Sequence, residues 1–218
     1  MDKKCAVLFS GGLDSSVAVC VMIEQGYDVD LLHMNTGALI TNNLSQIRKN
    51  EIERTYPTCK IKYQEISSFG FFRKLALTNL EEDILKYKVS MICIGCKLAM
   101  HISTLKYCVE KGIKVAIDGS CKRQERYAEQ RIATIETVRE LYRTYGVEYN
   151  NPVYMYDKPT IKYALFDRGI TIQPLEDTCL FSHTFSVADD DVIKEYLHDK
   201  LPVCKELIER SISYERNR

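Results

Sequence analysis

Short apolar runs alternate along most of the chain with longer segments in which apolar residues recur every three or four positions. The runs lie at residues 4–9, 28–34, 61–66, 114–117 and 152–155, and each has the length of a buried strand. The longer segments predict helices at 13–25, 42–54, 71–87, 97–111, 122–142 and 160–167. This alternation predicts an α/β fold of three layers, a parallel five-stranded sheet with helices on both faces.

The end of the chain departs from this alternation. Residues 170–173 predict an extended segment, and residues 189–213 predict a helix. Neither an internal repeat nor a glycine-rich linker marks a boundary. We therefore expect one domain over residues 1–188, with a helical tail at 189–218 packed on that same domain.

Composition narrows the class of protein. With 45% apolar and 28% charged residues, the 218-residue chain is expected to be globular. It has no run of about 18 apolar residues and no signal-peptide pattern, so we expect a cytoplasmic protein with no membrane partner. Nine cysteines, an odd number without an export signal, favour reduced thiols and candidate metal ligands over a disulfide framework.

Charge bears on possible partners. Thirty Lys and Arg residues balance thirty Asp and Glu residues. The chain as a whole therefore lacks the basic excess that drives phosphate-based nucleic-acid binding. Any RNA contact would have to be local or supplied by a partner protein.

The most informative motif follows the first predicted strand and precedes the first helix. It reads Ser10-Gly11-Gly12-Leu13-Asp14-Ser15-Ser16. Two adjacent glycines allow backbone N–H groups to approach an anion, and the serine hydroxyls and the helix N-terminus add donors and positive potential. Asp14 would repel a bare phosphate, so its presence suggests that Mg2+ binds there as well. The motif predicts a phosphate-binding loop.

This motif resembles the signature of the PP-loop ATP pyrophosphatase family, Ser-Gly-Gly-x-Asp-Ser after the first strand. The resemblance implies the adenine nucleotide alpha hydrolase-like (HUP) fold. It also implies that the loop holds the β- and γ-phosphates of ATP while a substrate oxygen attacks the α-phosphate. The products of that step are pyrophosphate and an adenylated intermediate.

The same resemblance suggests further nucleotide-binding residues. The end of the second strand would place His33, Met34 and Asn35 beside the nucleoside, although a buried strand with a polar end explains them equally well. The turn after the fourth strand would contribute a second contact loop, formed by Asp118, Gly119 and Ser120. Lys122 and Arg123 stand where many relatives carry acidic residues. They would face phosphate or an anionic substrate, or lie on a solvated helix face.

Three cysteines are candidates for chemistry. Cys93 and Cys96 are separated by two residues, and a backbone turn at Gly95 would let both sulfurs point to one metal or cluster. Cys179 follows the last extended segment and is expected at the same edge of the sheet. The residues alone leave open a redox or persulfide-carrying pair, a zinc site, an iron–sulfur site or a structural role.

Cys93-Ile94-Gly95-Cys96-Lys97 resembles a segment of the PP-loop branch that inserts sulfur into RNA, which includes the 4-thiouridine, 2-thiouridine and 2-thiocytidine synthetases. That resemblance implies a 4Fe-4S cluster held by Cys93, Cys96 and Cys179, with Zn2+ as the alternative metal. It implies catalysis by Asp14 and the three cysteines. ATP would activate a carbonyl oxygen of a tRNA base or other nucleobase, and sulfide would then displace AMP.

Relatives of this branch usually carry an additional RNA-binding module, for which the chain has no room. A partner protein presenting the RNA, a homodimer or a small substrate would resolve this, and a sulfur donor is required. An amidating synthase similar to 7-cyano-7-deazaguanine synthase is the alternative enzyme. A non-enzymatic nucleotide-binding module is the alternative outside enzymes.

Overall fold

The central element of the protein is a five-stranded parallel sheet, as the sequence predicts. The computed structural model describes residues 3–40, 43–181 and 187–216. Strands β1 (Lys4–Leu8) and β2 (Asp28–Asn35) form the middle of the sheet together with β5 (Val115–Ile117), and β4 (Ile61–Ser67) and β6 (Glu148–Asn150) lie at its edges. The strand order is β4-β2-β1-β5-β6.

Helices cover both faces of this sheet. The α-helices within the described residues are α1 (Leu13–Glu24), α2 (Leu44–Thr55), α3 (Phe69–Phe72), α4 (Leu80–Tyr87), α5 (Ile92–Lys111), α6 (Ile132–Thr144), α7 (Lys158–Asp167) and α8 (Asp190–Arg216). A π-helical turn at Arg73–Leu77 lies between α3 and α4. The buried residues of β1, Cys5, Ala6 and Val7, are all apolar, as is typical of a strand that helices cover on both faces.

Two apolar clusters form the core, one on each face. On one face, α1, α2 and α7 bury residues such as Val19, Ile52 and Leu165. On the other face, α5 is packed by α6 and α8, and Leu98 and Tyr142 are fully buried. Among the side chains that the structure describes, α8 contributes to this second cluster through Ile193, Tyr196, Leu197, Cys204 and Ile208.

Helix α5 explains an apolar stretch that would otherwise suggest a membrane segment. Its 20 residues are long and apolar enough to cross a bilayer by length and composition. However, 72% of the most apolar 18-residue stretch of this helix is buried inside the protein. Packing between the sheet and helices α6 and α8 accounts for its apolar character.

Several predicted elements were wrong in detail. The segment 122–142 is not one helix, because two short 3-10 turns, Lys122–Gln124 and Ala128–Gln130, precede α6. Tertiary contacts interrupt it: the Lys122 N–H bonds to the Tyr154 carbonyl at 2.8 Å, and the Thr134 hydroxyl to the Ala128 carbonyl at 2.7 Å. The last sheet strand is Glu148–Asn150, whereas the predicted 152–155 forms a turn anchored by buried Val153.

Other differences concern the regions flanking the site. Helix α5 begins at Ile92 rather than at Lys97, and no strand forms at 170–173. A two-stranded antiparallel ribbon that the sequence analysis missed joins β3 (Leu39–Ile40) to β7 (Thr178–Cys179). The predicted start of the second helix at Asn42 lies outside the described residues. So do residues 182–186, shortly before the predicted tail, and residues 217–218, at its end.

The position of α5 gives a test of the core. Leu98 is fully buried, so Leu98→Ala should lower the free energy of unfolding by about 2–5 kcal/mol through lost apolar contacts and a cavity. Leu85, which is 62% exposed, is the matched control, and Leu85→Ala should change it by about 0.5 kcal/mol or less. Urea denaturation followed by circular dichroism measures both values. Equal effects would contradict the assigned core.

Candidate nucleotide and thiol site

The carboxyl ends of the central strands open into one cavity of about 610 Å³. Its wall combines the loop after β1, the end of β2, the first turns of α5, the turn after β5 and the segment leading to β7. In parallel α/β sheets this edge, where the strand order reverses, is the usual position of a ligand site. Here the reversal lies between β1 and β5.

The predicted phosphate loop forms one side of this cavity. Ser10, Gly12, Asp14 and Ser15 line it, whereas Gly11 and Ser16 do not. The Ser10 hydroxyl accepts a hydrogen bond from the Gly12 N–H at 3.1 Å and lies 3.1 Å from the Ser15 hydroxyl. The buried Ser16 hydroxyl donates to the Gly12 carbonyl at 2.6 Å, so Ser16 stabilises the loop from below.

Close packing explains why the loop contains two glycines. Gly11 has a φ of +82°, and a Cβ there would collide with the Leu175 carbonyl and the Ser45 backbone. A Cβ on Gly12 would collide with the Glu176 carboxylate. The segment around Leu175 and Glu176 therefore packs directly on the phosphate loop.

The Asp14 carboxylate forms an ion pair with the guanidinium of Arg123. Both of its carboxylate oxygens accept hydrogen bonds from Arg123, which also donates to the Tyr156 carbonyl at 3.3 Å. Arg123 and Lys158 line the cavity. Lys122, the other predicted cation, is exposed and lies outside the cavity lining.

Beside the loop, the turn after β5 carries a buried charge network. The Asp118 carboxylate accepts hydrogen bonds from the Ser120 N–H at 2.9 Å and from Asn151 at 2.5 Å. The Lys97 ammonium lies 3.2 Å from Asp118 and donates to the Ser120 hydroxyl at 2.5 Å. Burial, the largest single influence, would raise the pKa of Asp118, but Lys97, His101 and the Ser120 N–H together outweigh it, and that pKa lies well below its ordinary value.

Of the residues predicted beside the nucleoside, His33 and Met34 line the cavity and Asn35 does not. The Asn35 side chain instead contacts Glu65 and accepts a hydrogen bond from the Gly37 N–H at 3.0 Å. The ring of His33 stacks on Tyr63 with centroids 6.1 Å apart, and its Nε2 lies 3.0 Å from Asp177. His33 therefore connects the end of β2 with the segment that leads to β7.

The three candidate cysteines all line the cavity. The predicted backbone turn at Gly95 was wrong, because Gly95 lies inside α5. Cys93 and Cys96 lie in the first turns of α5, and residues three apart share one face of a helix. Gly95 instead allows close packing, since a Cβ there would lie 2.8 Å from Ala76. Cys179 is positioned by β7, which pairs with Leu39, and its sulfur accepts a hydrogen bond from the Phe181 N–H at 3.4 Å.

The surroundings of these thiols are apolar. Phe72, Ile92, Met100 and Phe181 line the same part of the cavity. Burial, reinforced by the neighbouring Cys179 and Cys93, raises the pKa of the Cys96 thiol to about 12. A raised pKa opposes the thiolate form, so a metal or cluster bound there would have to displace the proton of the Cys96 thiol.

A compact site for a single metal ion is not formed. Among the residues that the structure describes, no three His, Cys, Asp or Glu side chains approach one another closely enough to hold a metal ion. The donor set of three thiols facing one apolar pocket is compatible with a larger thiolate-bound cluster. It lacks the four closely placed ligands that a structural zinc ion requires.

Sequence reasoning missed several residues of the cavity. Glu176 and Asp177 precede Cys179 and face the phosphate loop and His33, and desolvation together with nearby Asp14 raises the pKa of Glu176. Glu129 lines the thiol end of the cavity, and desolvation raises the pKa of its carboxyl as well. The acidic pair beside a candidate cysteine was a signal in the sequence. Glu129 had none, because it lay within a segment assigned to a solvated helix.

Fold and sequence motif together define an α/β protein of the PP-loop type. Residues 1–164 match the family model described as "ThiI: Thiamine biosynthesis protein (ThiI)". Because this match covers most of the chain, the protein belongs to the ThiI family. The resemblance to the PP-loop thiolation branch is thereby confirmed.

Individual relatives agree with this assignment. The chain is 28% identical over 184 residues to a probable tRNA sulfurtransferase of Acholeplasma laidlawii, covering 81% of this chain and 41% of that protein. The chain thus spans less than half the length of the curated relatives it matches.

Solved structures show the same fold. A 4-thiouridine synthetase in complex with RNA and with bound ATP superposes with a TM-score of 0.62 at 16% identity, covering 97% of this chain and 53% of the other. A predicted subunit of a tRNA methyltransferase from Methanocaldococcus jannaschii superposes with a TM-score of 0.51 at 19% identity, covering 76% of both chains. At these identities, the likeness bears on the fold alone.

The contact between the two loops of the site gives a second test. A Cβ on Gly119 would lie 2.5 Å from the Ser15 N atom, so Gly119→Ala should force the loops apart and lower the free energy of unfolding by about 1–3 kcal/mol. Gly70→Ala, in α3 with open space around the new methyl group, should be neutral or stabilising by up to about 1 kcal/mol. Thermal and urea unfolding of both variants would show this. A Gly119→Ala variant as stable as the wild type would contradict the described loop contact.

Proposed function

We propose that this chain is an ATP-dependent adenylating enzyme that prepares a tRNA base, or another nucleobase, for sulfur insertion. The single observation that carries the proposal is that the phosphate loop and the three cysteines line one cavity. A nucleotide site alone would not require thiols, and a thiol site alone would not require the glycine-rich loop.

The polar end of the cavity suits the triphosphate of ATP. The hydroxyls of Ser10 and Ser15 and the start of α1 supply donors and positive potential, and Arg123, Lys158 and Lys97 add positive charge. Mg2+ would bind at Asp14, and Glu176 would offer a second carboxylate, since nearby Asp14 contributes to the raised pKa of Glu176. Metal binding at Asp14 would compete with its ion pair to Arg123, which would then be released toward phosphate.

The proposed reaction has two steps. In the first, the carbonyl oxygen of the base attacks the α-phosphorus of ATP, an O–P bond forms, and the bond to the bridging oxygen breaks to release pyrophosphate. In the second, sulfide adds to the activated carbon and the C–O bond breaks to release AMP. The fixed ammonium of Lys97, held by Asp118 and Ser120, is placed to stabilise negative charge that develops on phosphate oxygens.

Cys93, Cys96 and Cys179 are the residues that would hold a 4Fe-4S cluster. When bound, such a cluster supplies an iron site that can carry sulfide. The residues of this chain would provide three thiolates, exclude water through Phe72 and Phe181, and hold the thiol end beside the nucleotide end. Zinc and a persulfide-carrying pair are the alternatives for the same thiols.

The substrate class is proposed from the relatives. A probable tRNA sulfurtransferase matches most of this chain, and a structural neighbour was solved with RNA and ATP. With equal numbers of basic and acidic residues, the chain itself provides no general attraction for RNA. A partner protein or a homodimer would therefore help to present the tRNA, and a separate sulfur donor would supply the sulfide.

Pyrophosphate release tests the first step. Asp14→Asn should lower ATP-dependent pyrophosphate release in the presence of unmodified tRNA roughly 100-fold, because one preorganised charged group of the phosphate site is removed. Asp191→Asn, at an exposed position at the start of α8, is the control and should retain wild-type rates. Unchanged release by Asp14→Asn would remove Asp14 from the mechanism. The absence of any release by the wild type with all tRNA species would favour a nucleotide-binding module.

Iron content tests the role of the three cysteines at the thiol end of the cavity. Wild-type protein purified without oxygen should be brown and contain about four irons per chain. Cys179→Ala should lose most of this iron, whereas Cys59→Ala, which lies outside the cavity lining, should retain it. Undiminished iron in Cys179→Ala would exclude Cys179 as a ligand. Colourless wild-type protein with stoichiometric zinc would favour the amidating alternative.

A further inference from the structure

Helix α2 contains the largest fully buried side chain of the described protein, and it is charged. Arg48 is 0% exposed. A buried guanidinium is costly unless its N–H groups are bonded, so the groups that accept from it must be fixed in place around it. Arg48 lines no part of the cavity, and the proposed chemistry does not use it.

The partners of Arg48 come from three parts of the chain. Its Nε donates to the Gly11 carbonyl of the phosphate loop at 3.4 Å. One Nη donates to the Thr171 carbonyl at 2.5 Å and to Glu51 at 2.8 Å, and the other Nη donates to the Gln173 carbonyl. A single planar group thus joins the phosphate loop to residues 171–173.

The segment that Arg48 holds carries site residues from the other side of the cavity. Residues 171–177 form no helix or strand, and the chain then reaches Cys179 in β7. Glu176 and Asp177 project from this segment toward Gly12 and His33. Because no ladder of backbone hydrogen bonds joins residues 171–177 to other described parts of the chain, their position depends on contacts such as those of Arg48.

We infer that Arg48 is a positioning residue that couples the phosphate loop to the segment bearing Glu176, Asp177 and Cys179. A shift of the loop on nucleotide binding would therefore be passed to this segment through the guanidinium and through the contact between Gly11 and Leu175. The placement of the Cys179 thiol therefore depends on the state of the nucleotide loop. This inference rests on the proposed function only in taking ATP as the ligand of that loop.

The test measures the reactivity of individual thiols rather than catalysis. Arg48→Lys retains the charge, but one ammonium cannot span carbonyls on both sides as the planar fork does. Iodoacetamide labelling of metal-free protein, followed by peptide mass spectrometry, should show Cys179 alkylated about five-fold faster in Arg48→Lys than in the wild type. Addition of Mg-ATP should slow Cys179 alkylation in the wild type, and this protection should be largely lost in the variant.

Two controls separate positioning from loss of stability. Cys108 is fully buried in α5, in the core cluster on the other face of the sheet from Arg48, so it serves as an internal reporter that reacts only when the domain opens. Arg168→Lys is the matched variant, because Arg168 bonds Glu24, Tyr56 and the Ala164 carbonyl in a comparable network away from the cavity. It should leave both Cys179 reactivity and its protection by ATP unchanged. Wild-type behaviour of Cys179 in Arg48→Lys, with or without ATP, would overturn the inference.

A second variant covers the case in which Arg48→Lys fails to fold or exposes Cys108. Thr171→Val changes an exposed residue and removes its hydroxyl contacts to Arg48 at 3.4 Å and to Glu51 at 2.9 Å. It should raise Cys179 alkylation about two-fold with Cys108 still protected, and no change would overturn the inference. If ATP fails to protect Cys179 in the wild type, the proposed nucleotide function fails at this site. The rates without nucleotide then still decide whether Arg48 positions the segment.

Discussion

The parallel direction of all five strands is the constraint on which the site depends. Every loop that follows a strand emerges at the same edge, and β1 lies between β2 and β5. The phosphate loop after β1 is therefore flanked by His33 at the end of β2 and by Asp118 after β5. Where the strand order reverses, the loops diverge and leave a crevice, and contact between Gly119 and Ser15 closes its floor.

The cavity at this crevice has two chemically different ends. At one end, serine hydroxyls, Asp14 and Arg123 form a charged region suited to phosphates and a hard cation. At the other end, three thiols lie among aromatic and aliphatic side chains, a region suited to a soft metal or to sulfur. Lys97 lies next to Cys96 in sequence but points to Asp118, and thus connects the two ends.

Buried charge is concentrated around this cavity. Lys97, Asp118 and Arg48 are each less than 5% exposed, and each is bonded to backbone or side-chain partners. Buried ion pairs contribute little net stability because desolvation offsets their attraction. We interpret these groups as fixing the relative positions of loops that have little regular secondary structure of their own.

The sequence determined the α/β class, the order of the first elements and the nature of the loop after β1, because strand periodicity and adjacent glycines are local properties. It also singled out the three cysteines, but not how they are held along one cavity. The tertiary structure decided that Cys93 and Cys96 share a helical turn, that β3 positions Cys179, and that Arg123 pairs with Asp14. It also decided the burial of Arg48 and the break in the segment 122–142. These features depend on contacts between residues far apart in the chain, and no local pattern of apolar and polar positions encodes them.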